Sequence, residues 1–257
     1  MATYKKKGGK ANKEKVSKIE QESTTAEVFN TLDETASKSE KWVEKNSKPL
    51  MIGIIAVAAI ILGYLAYNKF VVEPKGIEAA NELAYPKTFF DQAESGAATI
   101  ATDSLYNLAL NGTDGRYGLL DIIDNYGSTN AGNLAKYMAG ISYLKTSEYE
   151  KAIELLSDFS TDDEILGAIA EGNIGDAFTQ VNQPEDAIKH YLKAANFKSN
   201  EFTSPLYLLK AGNTAMDMGD FEKAVELFEK IKNEYPNSDE GLEIDIYLNR
   251  ARLASQN

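Results

Sequence analysis

The sequence has no cysteine, one histidine (His190), one tryptophan and six prolines in its 257 residues. Without cysteine there is no disulfide framework, no thiolate zinc site, no thiol nucleophile and no lipidated anchor. One histidine leaves no pair for a histidine-rich metal centre and little material for a catalytic triad. No GxSxG, HExxH, Walker A or dinucleotide fingerprint occurs. Basic residues are outnumbered 27 to 39, and the net charge of −12 argues against a nucleic-acid binder. What remains is 43% hydrophobic. That is enough to exclude wholesale disorder and to fill one or two folded domains.

The charge is unevenly placed. Residues 1–48 carry eleven lysines against eight acids, net +3, and the stretch 71–257 carries −16. Between them, Leu50 to Tyr67 reads LMIGIIAVAAIILGYLAY, without a charge. At about 1.5 Å per residue such a run spans about 27 Å, close to the ~30 Å hydrocarbon core of a bilayer. A buried core helix and a cleaved signal peptide are the competing readings. A signal peptide needs a short charged region at the extreme N-terminus and a small-residue cleavage site. Gly63-Tyr64-Leu65-Ala66-Tyr67 offers a poor one. A single transmembrane helix over 49–72 is therefore expected. Trp42 and Lys48 would anchor it at the near headgroup zone, and Tyr64 and Tyr67 at the far one. Lysines 41, 45 and 48 and the basic tail put the N-terminus on the cytoplasmic side by the positive-inside rule. The acidic domain would then lie outside the cytoplasm.

On the near side, residues 1–23 read as a disordered basic tail. Residues 24–48 read as an amphipathic pre-membrane helix with a Thr24–Glu27 capping box and a face of Val28, Phe29, Leu32, Ala36, Trp42 and Val43. Pro49 predicts a break or kink before the span. On the far side the pattern is helical almost throughout. Residues 76–130 form the N-terminal part of the domain: a helix over 76–98 interrupted at Pro86, then 101–110 and 116–125 joined by a turn at residues 111–115.

From 133 to 238 the sequence repeats itself. Gly140, Gly175 and Gly212 align, 35 and 37 residues apart. Tyr143, Phe178 and Ala215 follow each glycine by three residues, Ala152, Ala187 and Ala224 by twelve, and Leu156, Tyr191 and Phe228 by sixteen. Pro236 ends the third copy. The strings SEYEKAIELL, NQPEDAIKHYLKA and GDFEKAVELFEKI complete the pattern, which resembles the tetratricopeptide repeat. The expected fold is all-α: a single transmembrane helix followed by a tetratricopeptide-repeat-like right-handed α-solenoid. Glycine and alanine would let the two helices of a repeat approach closely, and the aromatics would fill the space beside them. The turns Ser147-Glu148, Asn182-Gln183-Pro184 and Gly219-Asp220 would join helix A to helix B. Residues 239–257 would form a capping helix, with Leu242, Ile246 and Leu248 as its apolar positions.

Such repeats offer a curved surface rather than a catalytic pocket, so no enzyme activity and no cofactor are expected. Helix A lines the concave side in this repeat class, which points to Tyr137, Lys145, Asp176, Thr179, Gln180, Asn213 and Asp217 as groove residues. Ile141 and Asp176 stand where chaperone-binding repeats carry a carboxylate clamp, which argues against that partner class. His190, beside Tyr191, reads as a packing residue, and Asp162-Asp163-Glu164 as a solvated helix start.

The layout as a whole, over residues 25–255, resembles the YfgM-like proteins, ancillary subunits of the bacterial Sec translocon. The run LLDIIDNYGSTNAGNLAKYMAGISYLKTSEYEKAIELL is similar to members from Bacteroidota. The resemblance implies a single-pass inner-membrane protein with a periplasmic repeat domain. It also implies association with SecYEG and with a membrane-anchored prolyl-isomerase-like chaperone of the PpiD type. A repeat-based organiser of another envelope machine, in cell division or outer-membrane export, is the alternative.

Overall fold

A computed structural model describes residues 24–96, 101–113 and 115–256, with side chains from residue 31 onward. The expected basic tail (1–23) and the side chains of the Thr24–Glu27 capping box, Val28 and Phe29 lie outside these residues. The described residues are helical, with no strand beyond an isolated bridge between Thr113 and Arg116.

The first compact unit ends at Asn68. Its described part is one helix, α1 (Thr24–Tyr67). Pro49 neither ends nor interrupts it, contrary to the sequence expectation. The ring removes one backbone hydrogen bond, but long helical runs on both sides hold the rest. Every residue from Leu50 to Tyr67 is exposed. A helix in a soluble core would bury this run. Among the described residues, one helix is long and apolar enough to cross a membrane. Trp42, Tyr64 and Tyr67 on α1 are 59%, 66% and 59% exposed.

The second unit begins at Lys69. Asn68–Val72 are wound as a short π-helix, and Lys69 Nζ reaches Glu73 at 2.8 Å. Then come α2 (Glu73–Ser95), α3 (Thr102–Asn111) and α4 (Leu119–Tyr126). Pro86 was expected to interrupt α2, yet the helix runs through it and the proline ring is buried, so packing offsets the lost bond. Gly96, at φ 64°, ends α2 in the left-handed region. The helix expected from 116 starts later, at Leu119, because the Asp121 carboxylate accepts a hydrogen bond from Gly118 N–H at 3.0 Å and fixes the first turn there.

The repeats follow as three helix pairs: α5 (Asn130–Lys145) with α6 (Tyr149–Ser157), α7 (Glu164–Gln180) with α8 (Pro184–Asn196), and α9 (Thr203–Asp217) with α10 (Phe221–Glu234). The last helix is α11 (Asp239–Ala254). Each helix packs on the next in sequence, which is the pattern of a solenoid. The three aligned glycines are contact points between the paired helices. A Cβ on Gly140 would stand 2.6 Å from Leu156 Cγ, on Gly175 2.6 Å from Tyr191 Cε1, and on Gly212 2.3 Å from Phe228 Cε1. Ala152, Ala187 and Ala224 are fully buried. Tyr143 is buried, and Phe178 stacks on the His190 ring at 5.2 Å.

The three A–B turns are built alike. Ser147, Asn182 and Gly219, each seven residues past its aligned glycine, take φ of 65°, 57° and 79°. The next residue's N–H returns to the chain five positions back: Glu148 to Tyr143 O at 2.8 Å, Gln183 to Phe178 O at 2.9 Å, Asp220 to Ala215 O at 2.9 Å. These bonds satisfy carbonyls that a helix end would otherwise leave open.

One expectation about α11 needs correction. Leu248 is buried, but Leu242 and Ile246 are 73% and 71% exposed. The sealing face is Ile244, Leu248 and Ala251, whose four- and three-residue spacing makes one stripe against α10.

Candidate functional site

The A helices form one side of the solenoid. α5 contacts α7, α7 contacts α9 and α9 contacts α11, whereas the B helices do not touch one another among the described residues. The row in mutual contact is the inner, concave side.

On this side lies a cavity of about 430 Å³, lined by Lys145 and Ser147 at the end of α5, Tyr149 at the start of α6, Asn173, Asp176, Thr179 and Gln180 of α7, and Tyr191 of α8. Four of the sequence-predicted groove residues are therefore brought together: Lys145, Asp176, Thr179 and Gln180. Their convergence follows from the repeat. Lys145 and Gln180 each stand five residues past their aligned glycines, and so occupy equivalent positions on neighbouring A helices.

Asp176 is engaged from two other helices, α8 and α9. Its Oδ1 and Oδ2 accept from Lys210 Nζ of α9 at 2.7 and 2.8 Å, and its Oδ1 also accepts from the Tyr191 hydroxyl at 2.7 Å. Thr179 Oγ1 lies 3.2 Å from the same hydroxyl and donates to Gly175 O at 3.0 Å. Lys210 Nζ sits 5.6 Å from the Tyr191 ring centre and 5.8 Å from that of Tyr207, and the two rings stack at 6.4 Å. Burial, before any other cause, raises the Tyr191 phenol well above its usual range. Asp176 adds to that rise and the Thr179 hydrogen bond opposes it. Tyr207 is raised likewise, by burial and then by Asp176. Both phenols hold their protons, so Tyr191 remains a donor. Asp176 thus staples the second repeat to the third through Lys210, Thr179 ties α7 to α8 within the second, and the groups left to meet a ligand are Lys145, Ser147, Asn173 and Gln180. Gln180 Oε1 is only loosely held, by Tyr149 OH at 3.4 Å.

The other three predicted groove residues lie elsewhere. Tyr137 is half-buried and its ring sits 5.1 Å from that of Phe159. Asn213 is half-buried and Asp217 exposed on α9, outside this cavity. Lys210 and Tyr207 were missed by sequence reasoning. The available signal is a carboxylate and a lysine 34 residues apart, about one helical turn short of the 37-residue spacing between the second and third glycines, and so on the same face of successive A helices.

His190 Nδ1 lies 2.8 Å from Glu171 Oε2 and its ring is sandwiched on Phe178, a packing arrangement. In the 162–164 cluster, Asp163 Oδ1 caps α7 by accepting from Ile165 and Leu166 N–H at 3.0 and 2.8 Å. A larger hollow of about 740 Å³ lies between α2 and the turn before α4. Its Arg116 guanidinium is already engaged, 4.7 Å above the Tyr85 ring.

Comparison with known proteins agrees with this architecture. The tetratricopeptide repeat family matches residues 207–238. That stretch runs from the middle of α9 through α10 to the residue that caps α11. No curated protein matches the chain. The chain is thus an all-helical protein containing a tetratricopeptide repeat, with one N-terminal helix apolar enough to serve as a membrane anchor.

Proposed function

We propose that the chain is a membrane-anchored scaffold in which α1 crosses the bilayer and the A-helix side of the repeats holds a protein partner. The observation that carries this reading is the cavity at Lys145 and Gln180. It is concave, it is built from equivalent positions of two repeats, and its only carboxylate is neutralised within the fold by Lys210. Lys145 is exposed at its rim. It offers a cation beside the amides of Asn173 and Gln180, a set suited to an extended backbone with an acidic side chain. No residue here forms a nucleophile–base pair, and the surface is suited to binding rather than catalysis.

The finer reading follows the charge. The basic segment before the span and the −16 segment after it support a cytoplasmic N-terminus and a periplasmic repeat domain in a bacterial inner membrane. Together with the resemblance to YfgM-like proteins, they support association with SecYEG and with a PpiD-type chaperone, beside which the domain would assist exported proteins. The acidic domain is repelled by anionic lipid and attracted to basic stretches of partners or clients. The test is purification of the intact chain in mild detergent. SecYEG subunits are expected as the dominant partner, and a different envelope machine in their place, or no partner, would refute the assignment.

A further inference from the structure

The start of α11 repeats the start of α5. Thr129 Oγ1 accepts from Gly132 N–H and donates to Tyr126 O, at 3.0 and 2.7 Å. Ser238 Oγ does the same with Gly241 N–H and Tyr235 O, at 3.0 and 2.9 Å. Gly132 and Gly241 each lie so close to that tyrosine carbonyl, 2.1 and 2.0 Å from a built Cβ, that no side chain fits. With the two starts superposed, the buried positions coincide: Ala135, Ala139 and Ser142 of α5 correspond to Ile244, Leu248 and Ala251 of α11. α11 therefore repeats the A helix of a repeat, and among the described residues no B helix packs on it.

In α5 the neighbouring face is covered by its B helix and the loop beyond. Asn133 bonds Ser160, the Tyr137 ring packs tilted against Phe159, and Gly140 touches Leu156. The corresponding face of α11 carries Leu242, Ile246, Asn249 and Leu253, all exposed. An uncovered helix face in a repeat protein is ordinarily polar; this one, on the last helix of the described residues, is apolar. Asn249 replaces the glycine that admits a close B helix, so the occupant must approach at wider, side-by-side spacing.

The charges beside the stripe indicate which occupant. At about 3.6 residues per turn, Asp245 and Arg252 lie along one border of the stripe, and Asp239, Glu243 and Arg250 along the other. The first border is consumed inside the chain, Asp245 by Lys232 and Arg252 by Glu229, each at 2.6 Å. On the second, Glu243 and Arg250 are exposed and make no ion pair among the described residues. That border is acidic toward the N-terminus of the helix and basic toward its C-terminus. Two such helices related by a two-fold axis run antiparallel and bring like borders together. Glu243 of one copy then stands opposite Arg250 of the other, twice, with the Ile246 side chains next to the axis. We infer that the outer face of α11 is a homodimer interface, occupied by α11 of a second copy.

The absence of cysteine makes the test direct. The full chain carrying Ile246→Cys, oxidised in its membrane, is expected to give a disulfide-linked product of twice the chain mass. The same chain carrying Glu154→Cys, on the exposed side of α6, is expected to give none. Position 246 is 71% exposed, so the substitution does not disturb folding. Adding Arg250→Glu should lower the cross-linked yield about ten-fold, as two ion pairs become like-charge pairs. Adding Glu243→Arg to that variant should restore it. No doubled product at 246, equal yield at 154, an adduct to a different polypeptide in its place, or indifference to the charge reversal would each overturn the inference.

Discussion

Gly212→Ala tests the physical basis of the repeat. In a helix interior this change ordinarily stabilises by about 1 kcal/mol, because glycine has the greater backbone entropy to lose. Here the added methyl would stand 2.3 Å from Phe228 Cε1 and 2.8 Å from Cδ1. The Phe228 ring is fully buried, in a cluster with Leu208, Leu227, Ile231 and Leu248. It cannot retreat by the required ångström without moving α10. Overpacking of this kind costs about 1–3 kcal/mol, so the clash outweighs the propensity gain. The expected net loss is about 1–2 kcal/mol, or a fall of about 2–8 °C in Tm for a domain of this size. The comparison is Gly76→Ala in α2, where nothing lies within 4 Å of the built Cβ; there the propensity gain of up to about 1 kcal/mol should appear unopposed. Thermal and urea unfolding of the full chain in detergent, followed by circular dichroism, reads both. Phe228→Leu should make Gly212→Ala cheaper by about 1 kcal/mol, since the ring edge is what it meets. If Gly212→Ala raises the midpoint as Gly76→Ala does, close helix approach is not what these glycines provide.

Ser147→Gly should stabilise by about 0.5–1 kcal/mol, because serine pays a steric penalty in the left-handed turn; Gly219→Ala should lose about 1 kcal/mol at the equivalent position, by the same unfolding assay. Asp176→Ala and Lys210→Met should be sub-additive by about 1 kcal/mol in a double-mutant cycle, since either change alone breaks the same staple. Tyr191 and Tyr207 have phenols raised above the ordinary value of 10.0. Their contribution is full below that pH and falls as pH rises beyond it, because the unfolded tyrosines ionise while the folded ones hold their protons. Tyr191→Phe should therefore flatten the alkaline limb of a stability–pH curve, and an unchanged limb would contradict the burial of that phenol.

The repeat was legible because it rests on spacing. Glycine, alanine and a large apolar residue at offsets of zero, twelve and sixteen require only that one helix lie close on another, and each offset became a contact. The turns were legible for the same reason, although their left-handed residue was visible in sequence at Gly219 alone. Pro49 and Pro86 misled because proline's local cost was set against nothing. α1 continues on both sides of Pro49, and the ring of Pro86 is buried in the core. Leu242 and Ile246 show that hydrophobicity alone does not specify burial. The sealing stripe is Ile244, Leu248 and Ala251, and which stripe seals depends on where α10 lies. The candidate site was half legible. Equivalent repeat positions gave Lys145, Asp176, Thr179 and Gln180, but the neutralisation of Asp176 depends on Lys210 from the next repeat, a contact that periodicity alone does not specify.

The most direct test of the scaffold reading is site-specific photocross-linking of the full chain in its native membrane. A photoreactive residue at Gln180, on the wall of the cavity, is compared with one at Glu154, on the exposed side of α6. The account predicts a defined protein adduct from position 180 that is absent from 154 and is lost with Lys145→Glu. Equal adducts from both positions, or none from 180, would contradict a partner-binding A-helix face.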